Sequence, residues 1–259
     1  MLSLLFGKDC QPMVRTVEEK IDLTVEWIRE QVKNSGTKGI LVGLSGGIDS
    51  ALVACLIKRA FPNNSLGIIL PCKSNPKDAQ DAILLAEACG IDYLTVDLSD
   101  EHEMLYGKIQ RRLEGFEVLN ERMADANLRA RLRMTTLYGI GNSLGYLVAG
   151  TDNAAEVLTG YFTKYGDGGV DIIPIGNILK REVFEWAAIL GVPQTILERK
   201  PSAGLWEGQT DEGEMGTTYD MIDDYILGLE IPEADQAIIE RMHKATAHKR
   251  KMPPMPPKF

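Results

Sequence analysis

Residues 45–50 read SGGIDS and follow directly on the apolar run LVGL. Gly46 and Gly47 allow backbone N–H groups to converge on an anion without obstruction by side chains, and Ser45 and Ser50 add hydroxyl donors. The residues that follow have a helical apolar pattern, and the positive end of such a helix would point at the same spot. The stretch is therefore predicted to hold phosphate groups, although it matches neither GxxxxGK[ST], because it has no lysine, nor GxGxxG. A tight turn with a capping serine is the alternative.

Asp49 lies inside this predicted phosphate loop, where its negative charge would repel the ligand unless a cation stood between them. Mg²⁺ suits that place because it takes one or two carboxylates and fills its shell with phosphate oxygens and water. A second carboxylate is expected from a neighbouring strand end. Residues 150–156, GTDNAAE, offer Glu156 one turn into the next helix. Asp152 is nearer the strand end and is expected to cap that helix rather than to bind the metal.

The elements that must position these residues alternate along the chain after an N-terminal helix at 14–34. Runs rich in aliphatic and β-branched residues predict strands at GILVGLS, SLGIILP, DYLTVDL and YLVAGT. Helices are predicted at 48–60, from Asn75-Pro76 to Gly90, over about 100–143, and from Lys180 onward. Strands joined by helices give parallel βαβ units. The predicted fold is therefore an α/β doubly wound, mostly parallel sheet with flanking helices and a helical C-terminal extension.

The whole chain, 1–259, is expected to form one domain, with the helix 14–34 ahead of an α/β core at 38–200. The remainder, 201–259, is predicted to hold a lid loop and two helices, 218–228 and 233–250. Residues 203–216, AGLWEGQTDEGEMG, have four glycines and no helix or strand period. Such a composition suits a lid that keeps water off a reactive intermediate, and an ordinary surface loop is the alternative.

Composition restricts the classes of partner. No apolar run approaches the roughly 18 residues needed to cross a bilayer, so no membrane span is expected. The net charge of −9 argues against a protein that coats nucleic acid. The four cysteines are scattered without a CxxC pair, which favours small buried side chains in a reducing compartment, here the cytoplasm, over disulfides. His102 and His243 are expected at the surface.

Several stretches together carry a resemblance to a known family. SGGIDS resembles the phosphate loop of the ATP pyrophosphatases, which cleave ATP between the α and β phosphates. NLRARLRM at 127–134, GTDNAAEVLTGYFTKYGDGGVDIIPIGNILKRE at 150–182, PSAGLWEGQTDEGEMG at 201–216 and HKR at 248–250 follow in order. With these, the chain resembles the NAD synthetases in their short, ammonia-dependent form, whose fold is adenine nucleotide alpha hydrolase-like. One departure is Ser202, where threonine is common, and it keeps the hydroxyl.

The resemblance implies a ligase that makes an amide in the last step of NAD biosynthesis. The nicotinate carboxylate of deamido-NAD would attack the α-phosphate of ATP, giving an acyl adenylate and pyrophosphate, and ammonia would then displace AMP to give NAD. ATP is the co-substrate and Mg²⁺ the expected metal. No glutamine-hydrolysing module is expected, so free ammonia is the nitrogen source unless a separate glutaminase docks.

The resemblance also assigns site residues. The ATP contacts are Gly43, Leu44, Ser45, Gly46, Gly47, Ile48, Asp49, Ser50, Thr151, Lys180 and Ser202. The deamido-NAD contacts are Arg131, Lys164, Asp171, His248 and Lys249, and the metal ligands are Asp49 and Glu156. Asp49 and Lys180 are expected to act in catalysis, and Asp167, in a glycine-rich loop, to help take a proton from ammonium. Arg133 fits a structural ion pair and a ligand contact equally.

The family is homodimeric, with deamido-NAD sites at the subunit interface. The predicted helix at 116–143 fits such an interface because it carries Leu119, Met123, Leu128, Leu132 and Leu137 beside Arg131. Two other classes remain open on the sequence alone. One is a related pyrophosphatase that acts on a tRNA base, and the other is a non-enzymatic sensor of adenine nucleotides.

Overall fold

In the computed structural model, which describes residues 15–199 and 210–258, four parallel strands form one sheet in the order β3-β2-β1-β4. The strands are β1 Gly39–Leu44, β2 Ser65–Ile69, β3 Tyr93–Thr95 and β4 Tyr146–Ala149. The helices are α1 Val17–Ser35, α2 Ile48–Ala60, α3 Pro76–Cys89, α4 Ser99–Arg112, α5 Glu121–Leu144, α6 Ala154–Thr159, α7 Lys180–Ile189, α8 Gln194–Leu197, α9 Asp211–Met215, α10 Tyr219–Ile226 and α11 Glu233–Ala245, followed by a 3₁₀ turn at Ala247–Lys249.

The central pair of strands brings the predicted site together. β1 pairs with β2 on one side and with β4 on the other, in parallel register, with Val42 opposite Ala149. Because parallel neighbours end at the same edge, the phosphate loop after β1 and residues 150–153 after β4 meet at the carboxyl edge of the sheet. Ile172 extends this edge through a single parallel bridge to Ala149. The predicted parallel α/β fold is confirmed.

The core lies on both faces of the sheet. On one face, α2 is buried along most of its length and packs with α1, α3 and α7. On the other face, α5 covers β1 and β4 around Leu41 and Val148. A third cluster joins α6 to the C-terminal helices through Ala155, Tyr219 and Ile239. The helices at the C-terminal end therefore pack against the helix that follows β4.

Helix boundaries follow local capping chemistry where the sequence displays it. Asn75 caps α3 by accepting from the N–H of Lys77, Pro76 is the first helical residue, and Gly90 ends the helix in the left-handed conformation. The long helical stretch predicted for 100–143 is instead two helices, α4 and α5. The intervening residues contain Gly115 at φ 87°, which a helix cannot accommodate.

Two expectations are wrong, one about His102 and one about the cysteines. His102 is fully buried, with its ring stacked on Tyr106 at 5.5 Å, whereas His243 is exposed as expected. Cys55 and Cys89 are joined by a disulfide between α2 and α3, a pairing that their separation of 34 residues does not reveal. Of the other cysteines in the described residues, Cys72 is a buried free thiol, as predicted.

Two further expectations concern the membrane and the lid. Within 15–199 and 210–258, no helix combines the length and the apolar character that a membrane span requires. Most of the predicted lid, residues 203–209, lies outside the described residues. Its C-terminal part is the short helix α9, which Thr210 caps by accepting from the N–H of Gly213.

Candidate active site

The phosphate loop closes on itself through its serines. Ser50 Oγ lies 3.1 Å from Ser45 Oγ and donates to the carbonyl of Gly47 at 2.9 Å. Gly46 has φ 77°, and a Cβ there would lie 2.6 Å from the carbonyl oxygen of Asp78, so the position admits only glycine. Gly47 caps α2 without a side-chain hydrogen bond. The first N–H groups of α2 therefore point out of the helix, where an anion can accept from them.

Asp49 is held by two neighbours from distant parts of the chain. Its Oδ2 accepts from Lys180 Nζ at 2.5 Å, and its Oδ1 accepts from Asn153 Nδ2 at 2.9 Å. Asn153 is also the N-cap of α6, because its Oδ1 accepts from the N–H groups of Ala155 and Glu156. The prediction that Asp152 caps this helix is therefore wrong. A single asparagine fixes both the start of α6 and the carboxylate of the phosphate loop.

Glu156 faces the same point from the first turn of α6. Its Oε2 accepts from the backbone N–H of Asn153 at 3.0 Å, and its Oε1 accepts from the Tyr219 hydroxyl at 3.0 Å. Burial and the nearby charge of Asp49 raise the pKa of Glu156 to about 8, although the Lys180 ammonium acts in the opposite direction. When both are ionised, Asp49 and Glu156 carry two negative charges beside the single positive charge of Lys180.

Lys180 is the first residue of α7 and is only 2% exposed. Its ammonium lies 4.6 Å from the centre of the Tyr219 ring. Burial alone would lower the pKa of Lys180, but Asp49 and Glu156 outweigh that effect and the net pKa is raised. Its backbone N–H donates to Asp223, a fully buried carboxylate on α10. The lysine is therefore a permanent cation that α7 and α10 hold beside the loop.

A cavity of about 960 Å³ opens in front of the phosphate loop. The residues of the predicted ATP site that line it are Gly43, Leu44, Ser45, Gly47, Ile48, Asp49, Ser50 and Thr151. Glu156, Asp167 and Lys249 line it too. Gly46 packs against α3 beneath the loop, Lys180 reaches Asp49 from the side, and Ser202 lies outside the described residues. Most of the predicted ATP contacts therefore share one space.

The predicted deamido-NAD contacts lie in three places. Lys249 lines the cavity, whereas Arg131, Lys164 and His248 form an exterior chain beside it. In that chain Arg131 donates to the Lys164 carbonyl at 3.3 Å through Nη2, and Lys164 Nζ donates to the His248 carbonyl at 2.8 Å. Asp171 is separate: it accepts from the Tyr138 hydroxyl at 2.9 Å and from the N–H of Val148 at 2.8 Å.

A second carboxylate group lies at the end of the cavity formed by the glycine-rich loop. Asp167 is exposed, and its Oδ1 accepts from the N–H of Thr163 at 3.0 Å. Lys249 Nζ donates to the carbonyls of Gly160 at 2.8 Å and Phe162 at 2.6 Å. Burial lowers the pKa of Lys249, with Asp167 opposing that shift. Asp152, 5% exposed, also lines this end.

Sequence reasoning missed two residues of the site, Asn153 and Tyr219, and left the role of Arg133 open. Asn153 carried a local signal, since N-x-x-E is a capping box and Glu156 stands three residues on. Tyr219 carried none, because its hydroxyl reaches Glu156 and Asp211 only through the fold. Arg133 donates to the Leu70 carbonyl at 3.0 Å and to the Ser74 hydroxyl at 2.9 Å while lining the cavity. No ion pair to Arg133 is present within 15–199 and 210–258, and its place in the cavity lining is compatible with a ligand contact.

Known proteins resemble this chain over nearly its whole length. The profile of the NAD synthase family matches residues 20–253. The chain is 61% identical over 247 residues to the NH(3)-dependent NAD(+) synthetase of Alkaliphilus oremlandii, covering 94% of this chain and 99% of that protein.

Two solved structures extend the likeness to the fold. The NMN synthetase of Francisella tularensis has a TM-score of 0.87 and 38% identity, over 93% of this chain and 99% of that one. The NH3-dependent NAD synthetase of Campylobacter jejuni has a TM-score of 0.75 and 28% identity, over 94% of this chain and 100% of that one. The adenine nucleotide alpha hydrolase-like fold and the resemblance read from the motifs are confirmed. The chain therefore belongs to the NAD synthase family and is a carbon–nitrogen ligase that forms NAD by ATP-dependent amidation of deamido-NAD with ammonia.

Proposed function

We propose that the cavity in front of the phosphate loop performs both halves of this amidation. The observation that carries the proposal is the chain of contacts from Lys180 through Asp49 and Asn153 to Glu156, at the point where the loop presents the start of α2. Gly43 to Ser50 bind the β and γ phosphates of ATP. Thr151 and Ser202 make the further ATP contacts.

The carboxylate pair fits Mg²⁺ by its chemistry. Mg²⁺ is bound through one or two carboxylates with phosphate oxygens and water in the remaining positions, and Asp49 and Glu156 supply that number. The raised pKa of Glu156, which follows from burial and from Asp49, marks negative charge that a divalent ion would compensate. In the described residues no group of three or more His, Cys, Asp or Glu side chains could hold a metal by itself. When bound, the ion would neutralise the charge of the leaving pyrophosphate.

The protein groups position the first step. The nicotinate carboxylate attacks the α-phosphate of ATP, the α–β bridging bond breaks, and pyrophosphate leaves into the phosphate loop. Donors that already point at the place where charge develops stabilise the transition state without reorganisation. Lys180, fixed by α7 and α10, is the charged donor of this kind. In the second step ammonia displaces AMP, and Asp167 takes a proton from the nitrogen.

Deamido-NAD is proposed to extend from the cavity to the exterior chain of Arg131, Lys164 and His248. These residues offer cationic and main-chain groups for the pyrophosphate and ribose of the dinucleotide. Lys249 contacts the part of the ligand inside the cavity. Asp171 accepts a hydrogen bond from a ribose hydroxyl of the substrate. This bond replaces the one that Asp171 accepts from the Tyr138 hydroxyl in the free protein.

A homodimer is supported by an apolar surface on α4, α5 and the residues between them, here called the α4–α5 face. Its exposed members are Met104, Leu105, Ile109, Leu113, Phe116, Val118, Leu119 and Met123. Leu119, which lies just before α5, is 86% exposed, and Arg131 lies exposed on α5. An exposed apolar surface of this kind marks an interaction site. A partner seated there would close over the outer half of the dinucleotide.

Sedimentation measures this assembly directly. The 28.6 kDa chain should sediment as a dimer at micromolar concentration, and Leu119→Glu should shift it toward monomer. Leu23→Glu, at an exposed leucine of α1, is the matched control and should leave the dimer intact. A fully active monomer would contradict the proposed shared site.

Further proposals concern the domain organisation, the cellular location and the binding partners of the enzyme. The chain acts as one domain, with residues 201–259 contributing the lid and the C-terminal helices. The enzyme works in the cytoplasm, where ATP and deamido-NAD are available, and uses free ammonia. Its binding partners are these small molecules and a second copy of the chain, with neither nucleic acid nor a membrane involved.

Product analysis tests the reaction. The protein is incubated with ATP, Mg²⁺, deamido-NAD and ammonium, and the mixture is followed by phosphorus NMR. AMP and pyrophosphate should appear in step with NAD. Primary formation of ADP and inorganic phosphate would overturn the assignment of the cavity to an adenylation.

A second acceptor, nicotinate mononucleotide, is favoured by the TM-score of 0.87 with the NMN synthetase of Francisella tularensis. The mononucleotide carries the same reactive carboxylate and lacks the adenylyl half that would reach Arg131. Turnover of the two acceptors is compared in the wild type and in Arg131→Ala. If both are substrates, the variant should lose activity mainly with the dinucleotide, and an absence of NMN formation would remove this second function.

A further inference from the structure

Asp152 has a buried carboxyl group that the roles described so far do not use. It is 5% exposed, it lines the cavity, and no hydrogen bond or ion pair reaches it from the described residues. Other buried carboxylates here have partners: Asp81 accepts from Arg199, and Asp223 accepts from the N–H groups that begin α7. Buried polar groups in folded proteins almost always have a partner. The carboxyl of Asp152 therefore calls for a partner that comes from the cavity.

The charged groups that act on Asp152 are three carboxylates and one lysine. Burial raises the pKa of Asp152, and the carboxylates of Asp167, Glu156 and Asp49 raise it further, while Lys249 acts against them. Lys249 does not form an ion pair with Asp152, because its ammonium is bonded to the carbonyls of Gly160 and Phe162. The two aspartates thus share one end of the cavity with a cation that is already engaged.

The missing partner should be a small cation with hydrogen-bond donors. Asp152 lies outside the chain of contacts that joins Asp49, Asn153 and Glu156, so it is not held as part of the metal pair. Ammonium is the one other cation that the amidation consumes. It is small, it carries four N–H donors, and a buried carboxylate stabilises it more than an exposed one does. Asp167 supplies a second acceptor oxygen at the same end of the cavity.

We infer that Asp152 and Asp167 form the ammonium site, with Asp152 as a further catalytic residue that accepts the first proton from ammonium. The inference rests on the proposed amidation. Ammonium gives a proton to the Asp152 carboxylate, and the lone pair left on nitrogen forms the C–N bond to the acyl carbon of the adenylate. The C–O bond to the AMP phosphate breaks, and AMP leaves with that electron pair. A second proton passes from nitrogen to Asp167, which leaves the neutral carboxamide.

The burial that isolates Asp152 makes it suited to this transfer. A carboxylate in a desolvated site is a stronger base than one in water, and general bases work best when their pKa is tuned toward that of the group they deprotonate. The bound ammonium supplies the positive charge that keeps the carboxylate ionised until the transfer.

The test separates the ammonia step from the adenylation. In Asp152→Asn, ATP–pyrophosphate exchange that depends on deamido-NAD should stay at the wild-type rate, while amidation with ammonium falls by at least about 10²-fold and the KM for ammonium rises. Hydroxylamine is mostly uncharged near neutral pH and needs no first deprotonation. Hydroxamate formation with hydroxylamine should therefore stay near the wild-type rate. Asp152→Ser should behave in the same way, and Asp92→Asn, at an exposed position outside the cavity, is the control.

Three results would overturn the inference. These are wild-type amidation in both Asp152 variants, an equal loss with ammonium and hydroxylamine, and a loss of the exchange reaction together with amidation. The last result would assign Asp152 to adenylation or to folding. Failure of the proposed function itself looks different, because the wild-type enzyme would then show no exchange that depends on deamido-NAD.

Discussion

Asn153→Asp separates the two tasks of the residue that links α6 to the phosphate loop. Aspartate and asparagine are comparable N-caps, so the start of α6 should be retained. The second task is reversed, since the Nδ2 donor, 2.9 Å from Asp49 Oδ1, is replaced by a carboxylate oxygen. The hydrogen bond to a charged group that disappears contributes about 1.5–3 kcal/mol.

The repulsion adds to this loss. Two unit charges about 3 Å apart at an effective dielectric constant of about 20 repel by about 5 kcal/mol. Part of this repulsion is relieved because one carboxylate becomes protonated, as in other close carboxylate pairs, and because the ammonium of Lys180 lies nearby. We therefore expect a net cost of about 3 kcal/mol at the site, which corresponds to roughly 10²-fold in rate.

The assay is the release of pyrophosphate that depends on deamido-NAD, measured with the free energy of unfolding on the same preparations. Asn153→Ser keeps a capping oxygen but has no second donor and no added charge, so it should lose only about tenfold in rate. Asn120→Asp, at the exposed N-cap of α5, is the matched control and should unfold like the wild type. Wild-type pyrophosphate release by Asn153→Asp would refute the claim that Asn153 positions Asp49.

Three other predictions concern the loop, the metal pair and a buried histidine. Asp49→Asn and Glu156→Gln should each keep near-normal stability without ligand and lose at least about 10²-fold in turnover. The double variant should lose less turnover than the product of the two single losses, because both carboxylates serve one ion. Full turnover of either single variant at limiting Mg²⁺ would contradict this. Gly46→Ala should lower the free energy of unfolding by at least about 2 kcal/mol more than Gly90→Ala does. Both glycines have positive φ, but only a Cβ at Gly46 would lie against backbone, 2.6 Å from the carbonyl oxygen of Asp78. Equal losses would show that the loop can shift. Burial lowers the pKa of His102 although Asp125 opposes it, so unfolding takes up a proton below about pH 6.5 and stability falls as pH falls through that value. His102→Gln should remove up to about 1.4 kcal/mol per pH unit of that slope in urea unfolding, and an unchanged slope would mean that the imidazole charges in place.

The phosphate loop could be predicted because its function is written into consecutive residues. Two glycines, two hydroxyls and a carboxylate between a strand and a helix leave few other interpretations, and the structure places Ser45, Gly47, Asp49 and Ser50 in one cavity wall. Asn75 was predictable as a cap for the same reason, since capping is a local matter of one side chain and the next three N–H groups.

The rest of the site depends on contacts between distant elements. Tyr219 reaches Glu156 across 63 residues of sequence, and neither residue carries a local sign of the other. Asp152 was misjudged because two capping residues stand side by side, and only the spacing to Glu156 distinguishes Asn153 as the true cap. His102 was expected at the surface on the polarity of its type, which burial against Tyr106 overrode.

The enclosure of α2 has a consequence for how the enzyme responds to heat. Ten of the 13 residues of α2 are buried, whereas in α4 only His102 is. Amide hydrogens in the buried middle of α2, beyond the first turn, can exchange with solvent only when the core itself opens, while those of α4 can exchange through local fraying. Nucleotide binding should therefore survive until the whole chain melts. The surface proposed for the second subunit should loosen at a lower temperature, so that warming separates the subunits before it destroys the phosphate loop.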